Sequence, residues 1–341
     1  MKLKTLSACA LVCACWLAMP AGVAASAQNN KGAQSPAKVS GGERDAAVKV
    51  NKAKGAEAKL QAAAEFIRKY PQSSLRPQVA GVVLNEINST QDVDLKVSLL
   101  KTYLDFFQSP SEMEQANGML LDIYIRSNRA ADALSAGSGW LEKHPDDIPT
   151  LRNLTILAAA ESIKGNVTLA PQGLKYGAHA IELLEADKRP ETVDAAKWPQ
   201  YKHDALVSLY REMGVLSYTT GDKAAALPRF EKAAELNSTD PGVYLILSEL
   251  TYNKYAALAA KYQAAPAGPS KDEMLKQVES SLDRVIEAYA QAIAITDGNA
   301  QYQQANTVMR QDLEKYYKFR HKNSTDGLQQ LIDKYKKPAT Q

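Results

Sequence analysis

Cysteine is confined to the first fifteen residues of this 341-residue chain, at Cys9, Cys13 and Cys15. Past that point the sequence excludes disulfides, thiolate metal sites and cysteine nucleophiles. Histidine is scarce too. The four histidines, His144, His179, His203 and His321, include no two at metal-ligand spacing, and no H-E-x-x-H occurs. Gly137-Ser138-Gly139 has no strand before it and lacks the flanking pattern of a nucleophile elbow. No glycine-rich loop is present to cradle a phosphate. Sustained alternation of apolar and polar residues, the mark of strands, is absent as well. These absences make a chain without catalytic residues, metal or other cofactor the expectation.

The leader is the first thing that is present. MKLKT carries two lysines, LSACALVCACWLAM is an apolar run too short to span a bilayer, and PAGVAASA ends in small residues. This order is that of a secretory signal peptide, 1–27, with the cut expected after Ala27 and Gln28 as the mature start. The periplasm or the cell exterior is the expected location. Leu6-Ser7-Ala8-Cys9 has the residue pattern of a lipobox, so a lipid-tethered chain is the rival reading. Without the lysines of the leader, 39 basic face 38 acidic side chains, a balance that gives no basis for nucleic-acid binding. The basic excess between Arg310 and Lys337 fits a polar capping helix better than a membrane-binding surface. Residues 28–50, opening QNNKGAQSPAKVSGGE, read as a flexible linker.

From 51 to 341 the pattern is helical, broken by short punctuation such as YPQSS, QSPSE, HPDD and STDP. Within 207–240 the first helix places Tyr210, Met213, Gly214 and Tyr218 on one side. Gly221-Asp222 makes the turn, and the second helix carries Ala226, Phe230, Ala233 and Leu236 as a stripe. Large residues fill the space between neighbouring helices, and small ones sit where two backbones approach closely. Tyr244, Leu247, Ser248 and Tyr252 repeat the first set one unit later, in 241–295. The segment 114–147 repeats it earlier, with Leu120, Tyr124, Ala133, Trp140 and Pro145. No such hairpin buries its apolar face alone, so the units must stack. Pro228 breaks the pattern inside its helix, where a kink is expected.

On these motifs the chain resembles the tetratricopeptide repeat (TPR) family. The tail YYKFRHKNSTDGLQQLIDKY is similar to the ends of exported bacterial repeat proteins. The stretch AEFIRKYPQSS is loosely similar to repeats of lipoproteins that help assemble the outer membrane. The resemblance implies an all-α fold, an α-solenoid of stacked helix-turn-helix repeats. It implies a protein or peptide partner held without covalent chemistry in a concave groove lined by the first helix of each repeat. Carried onto this sequence, the groove positions are Gln115, Asp122 and Arg126 in 114–147. They are Ser208, Arg211, Val215, Tyr218 and Thr219 in 207–240, and Leu245, Glu249, Tyr252 and Asn253 in the next unit.

Overall fold

The computed structural model describes residues 39–336. The leader, the cut after Ala27 and the lipobox lie outside the described residues. Among these residues fourteen helices follow one another and no strand occurs. The first four are α1 (Gly41–Lys52), α2 (Ala56–Lys69), α3 (Arg76–Ser89) and α4 (Val93–Phe106). Next come α5 (Pro110–Arg126), α6 (Ala130–Lys143), α7 (Ile148–Ile163), α8 (Ala170–Glu185), α9 (Trp198–Thr219) and α10 (Lys223–Glu235). The last four are α11 (Pro241–Ala264), α12 (Pro269–Thr296), α13 (Gln303–Arg320) and α14 (Leu328–Asp333).

Consecutive helices pair as hairpins, α5 with α6, α7 with α8, α9 with α10 and α11 with α12. First helices stack on first helices: α5 contacts α3 and α7, and α7 packs against α9. The architecture is a TPR-like α-solenoid. The linker expected over 28–50 is corrected at its end, because α1 already begins at Gly41. Ser40 accepts the Glu43 N–H and caps this helix, and Val50 is buried in the first apolar cluster.

The local chemistry explains where the helices stop. Asn128, Asp187 and Asn237 adopt left-handed backbone conformations after α5, α8 and α10. In each case the following N–H reaches back to a helix carbonyl: Arg129 to Tyr124 (2.9 Å), Lys188 to Leu183 (2.9 Å) and Ser238 to Ala233 (3.0 Å). One stop signal thus ends three helices, with short polar residues where glycine is usual. The Gly221-Asp222 turn forms as expected. Gly221 has φ 85°, and Asp222 Oδ1 accepts the Ala225 N–H at 2.9 Å.

Packing confirms the seam. Ala226, Phe230 and Ala233 are fully buried. A Cβ on Gly214 would meet the Phe230 ring at 3.0 Å, so only glycine lets α9 and α10 approach this closely. Pro228 does not interrupt α10, which runs through it with the ring facing solvent. The carbonyl it leaves without a helix partner is within reach of water.

The apolar interior falls into two clusters. One runs from Val50 to Leu216, through α1–α9, and the other from Ala226 to Ile332, through α10–α14. Tyr210 and Val215 of α9 pack on both. The second cluster is built around long helices, α11 with 24 residues and α12 with 28. Both helices run past the length of the hairpin helices before them.

Candidate partner-binding surface

The twelve groove positions all lie on first helices, α5, α9 and α11, and the structure sorts them by what already holds them. Gln115 and Asp122 of α5 line a cleft of about 720 Å³ between α3 and α5. Arg126 is exposed and pairs with Asp122 one turn back, Nε to Oδ1 at 2.7 Å. Ser208 and Arg211 of α9 line a separate polar cleft of about 340 Å³, closed by the loop 237–240.

Arg211 is a brace. Its Nε bonds the adjacent Glu212 carboxylate at 3.1 Å, and its Nη1 bonds Asp240 Oδ2 at 2.9 Å. Asp240 in turn caps α11 through the Gly242 N–H at 2.8 Å. The guanidinium therefore ties α9 to the start of α11. Burial pushes the Glu212 carboxyl up, over the opposing effect of Arg211.

Three positions fall away from the open surface. Val215 is wedged between the two apolar clusters, and Leu245 packs against the second. The Thr219 hydroxyl donates to its own helix, to Val215 O at 2.9 Å. Family register alone placed these side chains in a groove; in this chain the junction between clusters takes Val215, the second cluster takes Leu245 and the helix backbone takes the Thr219 hydroxyl.

The others converge across α9, α11 and the start of α10. Tyr218 donates its hydroxyl to Glu249 Oε2 at 2.7 Å. Glu249 also accepts from Lys223 Nζ at 3.1 Å and from Asn253 Nδ2 at 3.4 Å. The Tyr218 and Lys223 donors hold the Glu249 carboxyl below its ordinary range, over the opposing effect of burial. The same bond raises the Tyr218 phenol. One turn along α11, Tyr252 stands 36% exposed.

Tyr252 belongs to a face of tyrosines. Its ring lies 6.3 Å from Tyr255 and 6.1 Å from Tyr316 of α13, and Tyr255 and Tyr316 are 6.3 Å apart. Tyr289 of α12 supports Tyr316 from beneath, edge-on at 6.0 Å. Burial and the neighbouring Tyr252 push the Tyr316 phenol well up, and burial with Asp312 raises Tyr289 to about 12. The Tyr316 and Tyr289 hydroxyls therefore stay protonated at neutral pH. Phe319, one turn beyond Tyr316, is 75% exposed. Tyr255 and Tyr316 were not foreseen. The spacing Tyr252-x-x-Tyr255 on a helix was the signal for the first; the second needed the fold.

The histidines have structural neighbours. His144 stacks on Trp140 at 4.2 Å, His321 stacks on Tyr317 at 3.9 Å, and His179 Nε2 lies 3.0 Å from Asp146. No group of three or more His, Cys, Asp or Glu among the described residues is arranged to hold a metal ion. No helix among them is long and apolar enough to cross a membrane.

No family model and no curated protein matches this chain. Among solved structures it is similar to the C-terminal part of a TPR repeat-containing protein from Cytophaga hutchinsonii. The identity there is 15%, covering 86% of this chain and 100% of that one, with a TM-score of 0.35. It is also similar to a tetratricopeptide repeat protein from Parabacteroides merdae, at 11% identity, 78% and 96% coverage and a TM-score of 0.31. At such scores the repeat assignment stands on the hairpins of this chain.

Proposed function

We infer that this chain is an exported scaffold that holds a protein partner, without covalent chemistry, against the first helices of its repeats. The observation that carries this reading is the tyrosine face on α11 and α13. Three rings stand within 6.3 Å of one another, one of them 36% exposed, on helices fixed by the second apolar cluster. Tyrosine offers large contact area and a polar tip, and a preformed surface spares the cost of ordering side chains on binding. The neighbouring Tyr218–Glu249–Lys223 network gives the same face polar groups for orientation.

Export rests on the leader, with the mature chain starting at Gln28 in the periplasm or outside the cell. The lipobox at Leu6-Ser7-Ala8-Cys9 favours a second reading, a lipid-tethered factor in envelope assembly. Mass measurement of the mature N-terminus separates the two: unmodified Gln28 supports the free scaffold, and a diacylated cysteine supports the tether. For the surface itself, wild type and a Tyr252→Ala/Tyr255→Ala variant are used as bait in envelope extract. The expected outcome is loss of the captured partner with the circular-dichroism melt kept. Equal capture by the folded variant removes the tyrosine face from the reading.

A further inference from the structure

The largest of the clefts described above lies at the other end of the solenoid and has a floor unlike its walls. Its floor is the half-buried indole of Trp140, which reaches under α5 because residue 118 is glycine. A Cβ there would stand 3.1 Å from the six-membered ring. Leu84 and Met119 add apolar lining to the cleft. Trp140 is fixed on two sides: its Nε1 donates to Asp147 Oδ2 at 2.7 Å, and its face stacks on His144. A rigid, partly exposed tryptophan in a concave site is the kind of anchor on which binding energy concentrates.

The walls are amides. Asn85 and Asn88 of α3 stand one turn apart and exposed, and Gln115 of α5 also lines the cleft. Each primary amide donates and accepts at once, the complement of a peptide group. Side chains three apart on a helix are about 5–6 Å apart at Cβ. An extended chain presents like-facing peptide groups every 6–7 Å or so. Asn85 and Asn88 can therefore serve two successive like-facing groups of one strand. The charged lining is acidic: Glu114 and Asp122, with no lysine or arginine. Asp122 has the exposed Arg126 as partner, while Glu114 lies 3.4 Å from His144 Nε2 and forms no ion pair with a lysine or arginine among the described residues. The cleft volume, about 720 Å³, suits a few residues of peptide.

We propose that the α3–α5 cleft takes an extended peptide segment of the partner, with one apolar side chain on Trp140 and a lysine or arginine beside Glu114. This rests on the first helices being the partner surface and adds the chemistry of the occupant. A helical segment fits less well, because its peptide groups are already paired within the helix and leave the amide walls without complements.

The test uses fluorescein-labelled Gly-Pro-Leu-Lys-Pro-Gly, whose prolines exclude helix, with fluorescence anisotropy on the full chain. Saturable binding is expected, weakened about tenfold when the peptide leucine becomes alanine. Replacing its lysine by glutamate is expected to weaken binding about fivefold or more. An Asn85→Ala/Asn88→Ala variant, which changes only exposed side chains, is expected to lose about fivefold with an unchanged melt. No saturable binding up to millimolar protein, equal binding of the alanine peptide, or full binding by the asparagine variant each overturns the proposal. If Tyr252→Ala/Tyr255→Ala abolishes capture of the envelope partner while the probe is ignored, the cleft fails and the scaffold reading stands.

Discussion

The two ends of this solenoid use the same hairpin and offer different surfaces. Around α3–α6 the helices are short, 14 to 17 residues, and the exposed chemistry is amide and carboxylate above one tryptophan. Around α11–α13 the helices run to 28 residues, and the exposed chemistry is tyrosine. The cores divide in the same place, one cluster ending at Leu216 and the next starting at Ala226. Repetition of a hairpin thus fixes the packing rule, while helix length and the side chains left over decide what each end can hold.

The largest test of that division is at the seam. Phe230 is fully buried in the second cluster and fills the space opened by Gly214. Phe230→Ala is expected to cost about 3–5 kcal/mol. Urea unfolding followed by far-ultraviolet circular dichroism should then show α10–α14 melting ahead of α1–α9. A single undivided transition at lower urea would make the two clusters one cooperative unit.

Two buried glutamates sharpen the comparison at intermediate size. Burial works to raise the Glu112 carboxyl, but Arg76, bonding both oxygens at 2.8 Å, and Ser109 hold it below its ordinary value. Its contribution is complete above the unfolded value and is lost as pH falls through the lower folded value. Glu212 is the reverse: its folded value is raised by burial, so stability falls as pH rises from the ordinary glutamate value through the raised one. Glu112→Gln should cost about 2–3 kcal/mol at pH 7, and Glu212→Gln should stay within about 1 kcal/mol of wild type. Urea midpoints at pH 7 and pH 5 check the signs. Acidification over that range should help wild type and lose this effect in Glu212→Gln.

A smaller effect is expected at Pro228. Its ring is exposed, so Pro228→Ala restores a helix hydrogen bond with nothing displaced and should stabilise the chain by about 1–2 kcal/mol. A thermal melt shows whether the gain is there.

Much of the packing was legible in the sequence where chemistry forces a residue type. Gly221-Asp222 announced the turn, and Ala226, Phe230 and Ala233 announced the seam, because close backbone approach tolerates so few side chains. The start of the solenoid was misplaced for the converse reason. The stretch 41–52 has few apolar residues, and its helix is held by the Ser40 cap and by burying Val50 in the first apolar cluster. Arg211, read as an anchor for a partner, is occupied by Glu212 and Asp240, the second brought near only by the following hairpin. Tyr316 joins Tyr252 across 64 positions of chain, a contact that the period of one repeat does not contain.

The most direct measurement of the central claim is hydrogen–deuterium exchange on this chain, free and with its captured partner. First helices reading the partner predict slowed exchange in α3, α5, α11 and α13, with α4, α6, α8 and α10 unchanged. Protection confined to those second helices would place the partner on the opposite face and contradict the scaffold surface assigned here.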